Sequence, residues 1–221
     1  MNVDLPPSNR LTDNRGLHAP RPPTFPFSTY QNWRQKSALP FAVEIGCGVG
    51  YHPIQWANLN PNGQILAIER TKEKFKKFQR RLAHHTSLDN RIFAAHADAS
   101  WLLPWLLEPL SVDEYFWLYP NPEPKRRNHR IAFSKLTELV VTTLKPNGRL
   151  TIATNLKDYA DEIRRELPRR FGLKIYLEAV CTLDQAPRSH FEKKYLARGE
   201  RCFNFEFTKI STSSTDTRLS R

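Results

Sequence analysis

Glu44-Ile45-Gly46-Cys47-Gly48-Val49-Gly50 is the segment with the clearest chemical content. It follows the apolar run Phe41-Ala42-Val43 and opens a helical pattern. Glycines at alternate positions permit a tight turn and let the backbone come close to a ligand. A dinucleotide fingerprint would need glycine at position 51, where Tyr51 stands, followed here by His52 and Pro53. A pyrophosphate is therefore a poor fit. The acid ahead of the glycines suits a cationic ligand instead. Glu69 closes the second apolar run, where a carboxylate can accept both hydroxyls of a ribose. Asp98 follows the third run, and the small Ala99 beside it leaves room for a flat base. S-adenosylmethionine carries a sulfonium, an ammonium, a ribose and an adenine, and this order of acids matches it.

The elements that must hold these residues can be read from periodicity. Apolar runs predict strands at 41–46, 64–69, 91–96, 113–119, 149–154, 173–179 and 203–209. Helices are predicted at 50–59, 71–85, 100–107, 131–144 and 156–171. In the second of these helices, Phe75, Phe78 and Leu82 form the inner stripe at i, i+3 and i+7. Strands alternating with helices imply an α/β fold. Its central seven-stranded sheet is mostly parallel, with helices on both faces. Ligands in such sheets bind beyond the carboxyl ends of the strands, where all three acids fall. Residues 1–38 read as a loose arm interrupted by Pro6, Pro7, Pro20, Pro22, Pro23 and Pro26. Residues 39–210 read as the folded domain, and the Ser/Thr-rich residues 211–221 as a disordered tail.

The chain has 221 residues and a formal net charge of +12, with pI near 9.8. That charge points to an anionic partner, with nucleic acid the first candidate. Lys125, Arg126, Arg127, His129 and Arg130 form one basic cluster at a strand end. A second lies along 72–81 and a third along 164–170. Three cysteines without CxxC spacing exclude a disulfide framework and a zinc site, so a reducing cytoplasm is expected and no metal. No apolar run approaches the roughly 20 residues that cross a membrane. The pattern does not give the oligomeric state, and a monomer is the expectation.

From Phe41 to Lys209 the chain resembles the bacterial tRNA (guanine-N7)-methyltransferase family. Glu44 to Gly50 matches its E-I-G-x-G-x-G, and Ile68-Glu69 its G-I-E. Tyr119-Pro-Asn-Pro-Glu-Pro-Lys125-Arg-Arg-Asn-His-Arg130 resembles F-P-D-P-W-x-K-x-R-H-x-x-R. Leu144 to Gly148 resembles L-K-P-G-G, Ala153-Thr154-Asn155 resembles A-T-D, and Ser189 to Glu192 followed by Arg198-Gly199 resembles T-K-F-E and R-G. The resemblance implies a Rossmann-like class I methyltransferase that uses S-adenosylmethionine to form 7-methylguanosine in the variable loop of tRNA. It places Glu44, Gly46, Gly48, Gly50, Glu69, Asp98 and Ala99 around the cofactor. Asn121 takes the catalytic or cofactor-adjacent position. Lys125, Arg127 and Arg130 would meet the RNA, and Asn155, Ser189, Phe191 and Glu192 would hold the target nucleotide.

The chain departs from the family pattern at telling places. Asn121 and Asn155 stand where the family has aspartates, and Glu123 where it has tryptophan. A carboxylate accepts through both oxygens and suits the N1–H and N2–H2 donors of guanine, whereas an amide accepts through one oxygen and donates through nitrogen. Three outcomes are open on the sequence. Glu123 or Glu192 supplies the missing charge; the site is retuned to another RNA or small-molecule acceptor; or catalysis is lost and RNA binding kept. Asn121-Pro122-Glu123-Pro124 also half-resembles the N-P-P-aromatic motif of enzymes that methylate exocyclic amines, with Pro124 in place of the aromatic.

Overall fold

Alternation along the strands decides which helices cover which side of the sheet. In β1 (Phe41–Ile45) and β2 (Gln64–Glu69) every residue is buried, as in strands packed on both faces. Phe41, Val43, Ile45, Leu66 and Ile68 enter one core, and Ala42, Ile65 and Ala67 the other. The first core is completed by α4 (Ala99–Leu106), α5 (Lys135–Thr143) and α6 (Lys157–Phe171), through Leu102, Leu103, Leu139, Val140, Ile163 and Leu167. The second is completed by α2 (Tyr51–Leu59) and α3 (Lys72–Leu82), through Ile54, Trp56 and Phe78. The structure is a computed structural model that describes residues 25–35, 39–182 and 186–210.

The remaining strands are β3 (Ile92–His96), β4 (Val112–Leu118), β5 (Leu144–Thr154), β6 (Leu173–Cys181) and β7 (Cys202–Lys209). Their order in the seven-stranded sheet is β3-β2-β1-β4-β5-β7-β6. β7 runs antiparallel to both its neighbours, and the other pairs are parallel. From β1 the chain winds outward to β3, then returns to the other side of β1 as β4. The strand order therefore reverses between β1 and β4, which opens a crevice at their carboxyl ends.

The local differences from the sequence reading have physical reasons. Within the expected loose arm, residues 27–35 form α1 (Phe27–Gln35). Tyr30 is buried and, with Trp33 and Phe25, packs on Phe93 of β3. Aromatic burial outweighs the helix-breaking prolines just upstream. The expectations for 1–24, 36–38 and 211–221 lie outside the described residues. The helix expected at 131–144 begins as a short 3-10 turn, Ile131–Phe133, because Ser134 restarts it: its Oγ accepts from the Thr137 amide at 3.2 Å. A further helix, α7 (His190–Leu196), was not expected. Ser189 caps it by accepting from the Glu192 amide at 3.0 Å.

Candidate active site

The glycine loop folds back over the end of β2. The amides of Gly46 and Cys47 donate to the Ile68 carbonyl at 2.9 and 3.0 Å. Gly48 has φ of 62°, and a Cβ built there meets nothing within 4 Å, so its outer side faces open space that a ligand can occupy. Gly50 also has positive φ, 75°, and serves the opposite purpose. A Cβ there would lie 1.8 Å from Cδ2 of the buried Phe78. It lets the start of α2 sit directly on α3.

Glu69 is 5% exposed, and its carboxylate is fixed from both sides. Oε2 accepts from the Gly48 amide at 2.9 Å and Oε1 from the Thr71 amide at 2.6 Å. Each oxygen keeps a lone pair, enough for two ribose hydroxyls. Glu44 is 2% exposed. Its parity on β1 turns it toward α2, where His52 Nδ1 donates to Oε2 at 2.8 Å. A small chamber lies between Glu44, the glycine loop, Leu118 and the start of α7 at Ser189, His190 and Phe191. Asp98 is more committed than the sequence reading supposed. It caps α4 by accepting from the Ser100 amide at 2.9 Å and the Ser100 hydroxyl at 2.6 Å, and it meets Arg70 at 3.2 Å. Ala99 is buried and lines the cleft beside it.

From that chamber a cleft of about 1030 Å³ runs along the carboxyl ends of β1, β2, β4 and β5. It brings together Gly46, Glu69, Asp98, Ala99, Asn121, Asn155 and Phe191. Trp117, Tyr119 and Thr154 also line it. A loop with open space above its glycines and a fixed acceptor at the end of β2 fits S-adenosylmethionine. Glu44, Gly46, Gly48 and Glu69 are the residues that would hold it.

Backbone strain gathers where β4 ends. Tyr119 and Glu123 flank the Pro-Asn-Pro segment with φ of 54° and 46°. Such a conformation costs about 1–3 kcal/mol per residue and persists only when surrounding contacts enforce it. For Tyr119 the enforcing contact is visible: its hydroxyl donates to Glu192 Oε1 at 2.8 Å. Burial, with Cys202 and Glu192 close by, pushes the phenol well above its ordinary range, so it stays a donor.

Glu192 itself does not present a free carboxylate to the cleft. It is 2% exposed and accepts from the Arg188 amide at 2.6 Å and the Arg188 guanidinium at 2.7 Å, as well as from Tyr119. Arg188 also donates to Asn204 of β7 at 2.9 Å. This buried knot ties the turn after β4 to α7. Burial would raise the Glu192 carboxyl, but the Arg188 guanidinium outweighs it and holds the group below its usual range. A carboxyl depressed in the folded state stabilises above its unfolded value, about 4.3. That stabilisation is lost as pH falls through the folded value. Glu192→Gln is therefore expected to cost about 2 kcal/mol at pH 7, since it leaves a mostly buried guanidinium poorly paired. Thermal melts should show a drop of about 4–8 °C that shrinks as pH falls below the ordinary carboxylate range. A pH-independent difference would contradict the charge pairing.

The two amides each meet a carboxylate. Asn121 Nδ2 donates to Glu123 Oε1 at 3.1 Å, and Asn155 Nδ2 to Glu200 Oε2 at 2.7 Å. Glu200 was not singled out in the sequence. The basic clusters also separate. Arg130 is engaged with Glu162 at 2.7 Å, and Arg127 lies over the Phe133 ring at 4.1 Å. On α6, Arg164 is paired with Asp161 and Glu178, and Arg165 and Arg169 with Glu166. Lys125 and Arg126 are exposed beside the cleft, and Lys74 of α3 lies over Phe191 at its rim, 5.1 Å from the ring centroid. Among the described residues, no group of three or more His, Cys, Asp or Glu is placed to hold a metal ion.

A seven-stranded sheet with reversed β7, a glycine loop at the switch point and an acid closing β2 together define a Rossmann-like methyltransferase, with S-adenosylmethionine as its cofactor. Comparison with known proteins makes this more particular. Residues 38–205 match the family model described as "Putative methyltransferase". The tRNA (guanine-N(7)-)-methyltransferase of Buchnera aphidicola subsp. Baizongia pistaciae is 32% identical over 191 residues, which is 83% of this chain and 77% of the relative. The Nitrosomonas eutropha protein of the same name is 34% identical over 180 residues, 78% of this chain and 77% of the relative. The chain belongs to the tRNA (guanine-N7)-methyltransferase family. Among solved structures, the 16S rRNA methyltransferase KamB superposes with TM-score 0.64 at 18% identity, covering 84% of this chain and 94% of that one. An A1408 methyltransferase from an uncultured bacterium gives 0.62 at 14% identity, covering 83% and 93%. These two bear on the fold.

Proposed function

We propose that this protein methylates N7 of a guanine in the variable loop of tRNA. The observation that carries the reading is the single cleft joining the glycine loop and Glu69 to the strained Tyr119–Glu123 segment and Asn155. The family likeness supports tRNA as the substrate, since the relatives named above are tRNA (guanine-N(7)-)-methyltransferases. Bound S-adenosylmethionine supplies a methyl group on a cationic sulfur. The lone pair of N7 lies in the ring plane and carries no proton, so the protein's task is alignment and exclusion of water rather than proton removal. Leu118, Tyr119 and Pro120 at the end of β4 and Phe191 and Tyr195 of α7 line the cleft together, with the Tyr119 and Tyr195 rings in contact at 5.4 Å. The methylated ring is cationic. Asn121 holds the Glu123 carboxylate at the mouth of the cleft, where it can balance that charge. This pairing supports retained chemistry over a retuned acceptor or a catalytically inactive RNA binder.

Lys125 and Arg126 beside the cleft, with Lys74 at its rim, are the cations placed to meet phosphates. Arg127 and Arg130 would shape the segment that presents them. Lys125→Ala is expected to weaken tRNA binding and lower the salt slope of log K by about 1, with S-adenosylmethionine affinity unchanged. An unchanged slope would make Lys125 a bystander. Methyl transfer to tRNA whose variable-loop guanine is replaced by adenine should vanish, and persistence would move the acceptor elsewhere. We further propose a monomeric cytoplasmic enzyme whose catalytic unit spans 39–210, with α1 packed on it. No helix of the described residues is long and apolar enough to cross a membrane.

A further inference from the structure

Asn155 follows β5 and lines the cleft, and its Nδ2 donates to Glu200 Oε2 at 2.7 Å. Antiparallel pairing of Thr154 with Phe203 brings the start of β7, and the turn before it, alongside. Glu200 is held on that turn: its amide donates to the Tyr195 carbonyl at 3.1 Å, and Gly199 ahead of it has φ of 74°. Its other oxygen lies 3.8 Å from Arg198, and its side chain is 35% exposed.

A carboxylate accepts and cannot donate, so only the NH2 end of the Asn155 amide can face Glu200. Turning the amide over would set two acceptors against each other. Because the amide is planar, its Oδ1 then points away from Glu200, and no partner for Oδ1 is found among the described residues. We propose that Glu200 is a positioning residue that fixes Asn155 with its acceptor toward the target base, so that the pair reads the N1–H and N2–H2 edge of guanine. Adenine offers a bare nitrogen at N1 and a C–H at position 2, so the same acceptor disfavours it. The inference rests on the guanine-methylating reading above and deepens it.

The test is steady-state methyl transfer from labelled S-adenosylmethionine to unmodified tRNA, with cofactor Kd measured separately by calorimetry. Glu200→Ala frees the amide to turn and is expected to lower kcat/KM about tenfold through KM for tRNA, leaving cofactor Kd unchanged. Asn155→Asp in the wild-type background sets two carboxylates face to face. Its activity should be low at neutral pH and recover toward acid as the pair takes up a proton. The exchanged pair Asn155→Asp with Glu200→Gln restores one donor facing one carboxylate, and kcat/KM should return to within about threefold of wild type. An unchanged kcat/KM in Glu200→Ala, or an exchanged pair no better than Asn155→Asp alone, would overturn the inference while wild type remains active. A wild-type protein that transfers no methyl to tRNA overturns the functional reading, and this one with it.

Discussion

Glu69→Ala is expected to weaken S-adenosylmethionine binding by about a hundredfold. The carboxylate is 5% exposed and pinned by two backbone amides, so its remaining lone pairs are aimed rather than free. A hydrogen bond from a neutral group to a charged one contributes about 1.5–3 kcal/mol, and two ribose hydroxyls would be involved. At about 1.4 kcal/mol per tenfold, a conservative sum near ~3 kcal/mol gives that factor. The substitution also leaves the Gly48 amide without its partner, which loosens the loop. Glu69→Gln keeps one acceptor and should lose about tenfold. Calorimetry of cofactor binding decides this, and unchanged affinity in Glu69→Ala would remove Glu69 from the site.

Gly50→Ala is expected to lower the melting temperature by about 10 °C. A Cβ at position 50 would lie 1.8 Å from the ring of Phe78, which is fully buried between α3 and the sheet and has no room to retreat. Overpacking of this kind costs about 1–3 kcal/mol, and a left-handed backbone for alanine adds about 1 kcal/mol. For a chain of this size each kcal/mol is worth about 2–4 °C. Gly48→Ala makes the informative contrast, because its Cβ meets nothing within 4 Å. It should melt within about 4 °C of wild type, yet it should bind the cofactor more weakly because the methyl group occupies the space above the loop. Thermal melts and cofactor titration of the two variants separate the roles. Equal melting temperatures would contradict the packing account.

How far the sequence discloses this molecule depends on whether a signal is local. β2 spans Gln64–Glu69 as its apolar run predicts, and the three acids fall at strand ends as their spacing predicts. α1 was hidden because six prolines precede it, while the spacing of Phe27, Tyr30 and Trp33 is too short a stripe to stand out. α7 is a helix of 7 residues whose local signature, Ser189 three positions before Glu192, reads equally well as a substrate motif. Arg188 and Glu192 are four positions apart, and opposite charges at that spacing were legible in principle. Tyr119, 73 positions from Glu192, was not. Glu200 was missed for the same reason: its bond to Asn155 exists only because β5 and β7 run side by side. The amides at 121 and 155 look like losses in the sequence. In the fold each is one half of an amide–carboxylate pair.

The most direct test of the whole account is nucleoside analysis of unmodified tRNA after incubation with the protein and labelled S-adenosylmethionine. The label is expected to appear as 7-methylguanosine. Label in a different nucleoside, or none at all from protein that binds the cofactor, would contradict it.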